Sequence, residues 1–169
     1  MAIAYTTTEC RLGRLLVASS SKGLCMVSIG KSDSDLMRKA HDQFPDENLA
    51  RDDGAMKSLV ADVKGRIDGK GLDRELPLDL RGTPFQMDVW REMLRINAGS
   101  TRSYGDVAKR IGRPTAFRAV AQACGANPVA VVVPCHRVVA AGGKLGGYGL
   151  GLDRKIALLS AEGVRNPRW

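Results

Sequence analysis

The chain has 169 residues, 44% of them hydrophobic, enough for one core or for two small lobes sharing an interface. No run of about 18 apolar residues is present, so no membrane span is expected, and the start Met1-Ala2-Ile3-Ala4-Tyr5 lacks the basic and apolar regions of a signal peptide. The net charge of +8 is unevenly placed: residues 1–80 hold 12 Lys and Arg against 13 Asp and Glu, whereas residues 81–169 hold 14 against 5. Such asymmetry fits a second half that meets a polyanion, although a solubilising surface has the same composition.

In chain order, Ile3–Thr6, Leu15–Ala18 and Leu24–Ile29 read as short apolar strands, punctuated by Gly13, Lys22-Gly23 and Gly30. They predict a small antiparallel meander. A helix is predicted from about Ser34 to Phe44, stopped before Pro45, and another from about Ala55 to Ile67, with Leu59, Val60, Val63 and Ile67 at helical spacing. Residues 68–82, with their glycines and Pro77, read as a linker. The expected domains are therefore 1–80 and 81–169.

Beyond the linker the pattern is helical. Thr83-Pro84-Phe85-Gln86 is a capping box with proline at the first helical position, and Phe85, Val89 and Leu94 are expected to share a face. Ser103-Tyr104-Gly105-Asp106 opens a short helix to about Ile111. Gly112–Thr115 forms a turn with Thr115 as N-cap, and a helix over 116–124 is closed by Gly125. Two short helices joined by a tight turn, the second carrying Arg118, form a helix-turn-helix pattern. Val129–Val133 reads as a buried strand ending at Pro134-Cys135-His136-Arg137. A glycine-rich loop follows from Gly142 to Gly149, and Asp153 is expected to cap a last helix that stops at Gly163.

The four cysteines, Cys10, Cys25, Cys124 and Cys135, include no C-x-x-C pair, and His41 and His136 are the only histidines. A zinc site would need scattered ligands and a disulfide framework is not expected, so the reading is free thiols in a reducing cytoplasm. Cys135 stands beside His136 and Arg137, groups that can lower a thiol pKa and activate a nucleophile. On an extended backbone adjacent side chains face opposite ways, so Cys135 and His136 meet only if the chain bends at Pro134. A buried inert cysteine is the commoner alternative.

Asn127-Pro128 leading through the valines into Pro134-Cys135-His136-Arg137-Val138 resembles the active-site signature of the O6-alkylguanine-DNA alkyltransferases. Gly82–Gln86 with Val89-Trp90, then Tyr104-Gly105, Arg118-Ala119-Val120 and Glu162-Gly163 are similar to further marks of that family, in its order. The match is close over 81–163. The first half resembles more loosely the alkyltransferase half of bacterial adaptive-response proteins.

The resemblance implies an α+β fold: a ribonuclease-H-like N-terminal lobe with a small antiparallel sheet, then a mostly helical lobe with a winged helix-turn-helix. It implies repair of double-stranded DNA containing O6-alkylguanine by irreversible transfer of the alkyl group, with O4-alkylthymine a further candidate. The protein would act as a monomer, without cofactor or metal. Cys135 would accept the alkyl group, His136 would act as base through a water, and Glu162 would orient His136. Asn127 would brace the turn and Tyr104 would stabilise the leaving guanine. Arg118 would fill the stack left by the extruded nucleotide, with Thr115 and Arg137 also toward DNA. Ala130, Val138, Tyr148, Gly149, Leu150 and Lys155 would line the pocket, Lys155 assisting proton balance. Cys124 is expected nearby. Ala130 stands where some members carry proline, and Leu150 where many carry glycine, which implies a pocket poor at accepting benzyl groups. A non-catalytic winged-helix DNA binder and a thiol hydrolase are the competing readings.

Overall fold

The computed structural model describes residues 2–169, a mixed α+β chain that divides into two compact units. The first holds the residues up to Leu80 together with Pro128–Val132; the second holds Arg81–Asn127 and Val133–Trp169.

In the first unit the meander forms as the sequence predicts, with longer strands: β1 (Ala2–Cys10), β2 (Gly13–Ser20) and β3 (Gly23–Gly30). β1 pairs antiparallel with β2, Tyr5 opposite Ala18, and β2 pairs antiparallel with β3, Val17 opposite Val27. The sheet is not purely antiparallel. A fourth strand, β4 (Asn48–Arg51), pairs parallel with β1 and gives the order β3-β2-β1-β4. Its four residues, Asn-Leu-Ala-Arg, carry too little apolar alternation to register as a strand; pairing with β1 makes it one.

Helix α1 (Asp33–Gln43) starts at Ser32, whose hydroxyl accepts from Asp35 N, and lays Leu36 and Ala40 onto Ile3, Leu16, Ala18 and Met26. Helix α2 (Asp53–Ile67) starts at the Asp52 carboxylate and buries Met56, Val63 and Ile67. The free edge of β3 is covered by two short passages of chain. Leu24 N donates to Pro77 O at 2.9 Å, and Asp79 N to Leu24 O at 2.7 Å. Further along the edge, Val27 N donates to Pro128 O at 3.0 Å and Ala130 N to Val27 O at 3.1 Å. The stretch read as a linker is thus partly a strap that satisfies edge groups.

The second unit is mostly helical: α3 (Pro84–Met93), α4 (Tyr104–Arg110), α5 (Phe117–Gly125) and α6 (Leu152–Ala161), with a two-residue parallel ladder between β5 (Arg102–Ser103) and β6 (Val138–Val139). The capping box at Thr83 and Gln86 forms, and Ser103 with Asp106 makes a second one. On α3 the buried face is Val89, Trp90 and Met93, whereas Leu94 is 42% exposed, because the helix ends there and the chain turns away. Trp90 Nε1 donates to Ala123 O at 2.9 Å, which locks α3 to α5, and Gly82 lies so close to the indole that an added Cβ would sit 2.5 Å from it.

Helices α4 and α5 with the turn at 111–116 are the helix-turn-helix. Thr115 does not cap α5; the N-cap is Ala116, without a side-chain bond, and Thr115 is exposed. Gly125 is the last helical residue rather than the stop. Val129–Val133 is not a strand. Val129 bridges to Val27, the chain then turns with Val131 at φ 73°, and Cys135–Arg137 forms one 3-10 turn. The valines are apolar because they are buried, and burial does not require extension. Asp153 lies in the first turn of α6, whose N-cap is Gly151.

Candidate active site

The chain does bend at Pro134, where Cys135–Arg137 forms one 3-10 turn. In a turn of three residues, neighbouring side chains fan around one axis instead of alternating across a strand. Cys135 N donates to Val133 O at 2.8 Å and Arg137 N to Pro134 O at 2.9 Å. Asn127 braces the same turn: its Nδ2 donates to Val133 O at 2.8 Å and lies 3.1 Å from Cys135 Sγ. The Asn127 side chain therefore holds both the loop carbonyl and the sulfur.

The same turn carries a buried ionic group. His136 Nε2 lies 2.9 Å from Glu162 Oε2, and Arg137 donates to the same carboxylate through Nε (2.7 Å) and Nη2 (2.9 Å). Arg137 Nη1 also donates to Ile96 O at 2.6 Å. Burial pushes the Glu162 carboxyl up, but the bonds from His136 and Arg137 outweigh it and hold the group at about 2. A carboxylate only accepts, so the imidazole proton sits on Nε2 and Nδ1 keeps its lone pair. Nδ1 is buried and has no partner among the described residues. Burial also lowers the His136 pKa, which keeps the ring neutral at pH 7.

Two expectations change here. Arg137 does not face outward toward DNA: it is 6% exposed and committed to Glu162 and Ile96, because an isolated buried guanidinium would be far too costly. The Cys135 thiol is also not lowered by its neighbours. Burial raises it, and the Asn127 bond and the Lys155 charge only partly oppose that rise. The resting group is a thiol.

Lys155 is fully buried and donates to three carbonyls, Val138 O and Leu145 O at 2.7 Å and Gly147 O at 2.9 Å. Burial brings its pKa down to about 8. These bonds pin the glycine-rich loop. Tyr104 Oη points to the same Gly147 carbonyl at 3.5 Å, and the Lys155 ammonium stands 6.0 Å from the Tyr104 ring centre. Gly146, at φ 76°, approaches this hydroxyl so closely that a Cβ would lie 2.8 Å from it. Burial raises the Tyr104 pKa. The Tyr148 hydroxyl is buried beside Cys135 without a well-formed hydrogen bond.

Cys124 is nearby too, its Sγ 3.6 Å from Met93 Sδ, and burial pushes its pKa to about 12, which makes it a poor nucleophile. Val138 is buried, and Gly149 and Leu150 lie in the turn before α6. Ala130 belongs to the first unit, where it is buried and donates its N–H to Val27 O. Arg118 is exposed on the first turn of α5, 6.0 Å from the exposed Phe117 ring. The residues that sequence reasoning missed act mainly through carbonyls, Ile96, Val133 and Gly147, which have no residue-type signature.

A buried thiol, an imidazole hydrogen-bonded to a carboxylate, and a helix-turn-helix lie in one unit, which defines a DNA-binding fold holding a buried cysteine. The chain belongs to the 6-O-methylguanine DNA methyltransferase family. The family's ribonuclease-like domain matches residues 3–80 and its DNA binding domain matches residues 84–164. Among relatives, the bifunctional transcriptional activator/DNA repair enzyme Ada of Escherichia coli is 40% identical over 168 residues, covering 99% of this chain and 48% of that protein. The inducible methylated-DNA--protein-cysteine methyltransferase of Bacillus subtilis is 40% identical over 147 residues, 86% of this chain and 82% of that protein. The chain thus spans about half the length of the Ada-type relatives. The crystal structure of Mycobacterium tuberculosis O6-methylguanine methyltransferase matches with a TM-score of 0.80 at 38% identity, covering 98% of this chain and 95% of that one. The structure of the same organism's OGT in complex with DNA matches at 0.78 and 37% identity, covering 94% and 92%.

Proposed function

We propose that this chain repairs DNA by moving the alkyl group of O6-alkylguanine in a duplex onto Cys135, once per molecule. The observation that carries the reading is the Asn127-held Cys135 with the His136–Glu162–Arg137 group on the same turn. The thiol proton passes through a water to His136 Nδ1, Cys135 Sγ attacks the alkyl carbon, and the carbon–O6 bond breaks. The electron pair leaves on guanine, which takes a proton from the Tyr104 hydroxyl; Lys155 keeps that hydroxyl in place through the shared Gly147 carbonyl. The thioether is stable, so the molecule is spent.

A guanine O6 lies inside the stack, and in-line approach by Cys135 requires base extrusion. The exposed Arg118 on α5 is suited to occupy the gap, and Thr115 to contact a phosphate. Residues 81–169 would carry DNA binding and chemistry, with 1–80 as a supporting lobe. Every group of the proposed reaction comes from one chain, which fits a monomer, and the free thiol fits a reducing cytoplasm. No helix among the described residues is long and apolar enough to cross a membrane.

The test is to mix the protein with methylated duplex and measure intact mass. One added methyl at Cys135, none in Cys135→Ala, is the expected result. Multiple turnover would favour a hydrolase, and binding without mass gain would favour a non-catalytic binder.

A further inference from the structure

The side of α4 away from Tyr104 carries a cleft of about 470 Å3 lined by Arg102, Asp106, Lys109 and Arg110. Helical spacing sets Asp106, Lys109 and Arg110 on one face, while Val107 and Ala108 are buried on the other. The charges are not balanced locally. The Asp106 carboxylate is used in the capping box with Ser103. Arg110 reaches Glu92 at 3.9 Å, whose other oxygen takes Arg95 at 3.7 Å. Arg102 and Lys109 have no side-chain partner among the described residues.

We infer that this cleft seats a backbone phosphate of DNA lying outside the stretch presented to Cys135. The inference rests on the repair reading for its DNA and adds a second contact surface to it. Three cations line a shallow, open site with one carboxylate already committed, an arrangement that suits a phosphodiester oxygen. The cleft is on the first helix of the helix-turn-helix, the element that crosses the sugar–phosphate backbone in such folds. Because it faces away from Tyr104, DNA that reaches it must continue past the reactive pocket. An acidic protein segment would find the same charges, but not this placement on a helix-turn-helix.

The experiment compares wild type, Lys109→Gln and Arg102→Gln/Lys109→Gln by fluorescence anisotropy over a range of salt. One duplex just spans the lesion; the other runs about two helical turns. On the long duplex the slope of log K against log salt should fall by about 1 for the single variant and about 2 for the double. On the short duplex neither should change, and the limiting transfer rate at saturation should hold. Unchanged slopes on the long duplex would overturn the inference, and equal losses on both duplexes would move these residues to the lesion site. Wild-type affinity for DNA lowered by polyglutamate, with unchanged slopes in the variants, would assign the cleft to an acidic protein instead. A wild type that binds with the expected slope yet takes up no methyl group would defeat the repair reading and leave this surface standing.

Discussion

Replacing Glu162 by Gln keeps the shape of the side chain and removes its charge, in a position where three donors depend on it. The carboxylate accepts from His136 Nε2 and twice from Arg137, and its side chain is 2% exposed. The amide has one oxygen. Its NH2 must point at either an imidazole or a guanidinium that is itself donating, and Arg137 is left as an uncompensated buried cation. Breaking one partner of such a pair costs about 3–5 kcal/mol. The chemical consequence follows from the same geometry. If the amide N–H takes Nε2 as acceptor, the imidazole proton moves to Nδ1 and the base is lost, a change of about 10²–10⁴ in rate.

Denaturant unfolding gives the first quantity, and single-turnover quench with methylated duplex gives the second. The pH dependence supplies a check on sign. Glu162 is held at about 2 in the fold against an ordinary 4.5, so the unfolded chain binds its proton first as pH falls. Its stabilisation is full above about pH 4.5 and is lost as pH drops toward 2; Glu162→Gln should flatten the acid-unfolding profile across that window. A variant with wild-type transfer rate, stability and acid profile would refute the argument and reduce Glu162 to an ordinary helix-end residue.

Gly146→Ala should slow transfer while leaving Cys135 titration untouched, since its Cβ would displace the Tyr104 hydroxyl; an unchanged rate would mean Tyr104 needs no fixed position. Lys155→Met removes three bonds to carbonyls, two of them in the glycine-rich loop, and should cost roughly 1–3 kcal/mol, with faster hydrogen exchange around Leu145 and Gly147 as the direct readout. The transfer rate should stay level as pH falls to 6.5, His136's ordinary value, and decline only below it, because burial lowers that pKa; a decline starting above 6.5 would show a charged resting imidazole. Arg118→Ala should slow transfer from duplex more than from free alkylated base, and equal losses would take Arg118 out of the extrusion step. Leu150→Gly should speed reaction with free O6-benzylguanine while methyl repair changes little; Ala130→Pro is the poorer probe, because proline removes the N–H that bonds Val27.

The sequence by itself determined the local structure. Caps at Thr83 and Ser103, the stop before Pro45, the strand meander and the helix pair all follow from contacts within a few residues, whose chemistry is written in neighbouring letters. Cys135, His136, Glu162 and Asn127 were also legible, because their residue types and order are distinctive. Local pattern failed at β4, at the Val129–Val133 run and at Thr115. Strand identity there depended on a partner 46 residues away, apolarity reported burial without conformation, and the cap went to a residue with no capping side chain. What only the tertiary structure decided is the electrostatics of the site. Arg137 turns inward because the one carboxylate able to balance it lies 25 residues further along, and Lys155 is buried because three carbonyls, one from β6 and two from the loop, converge on it. The Cys135 thiol stays protonated because solvent is excluded around it. Charge pairing and desolvation act through space, so a sequence lists the ionisable groups while the packing settles their protonation and the direction each one faces.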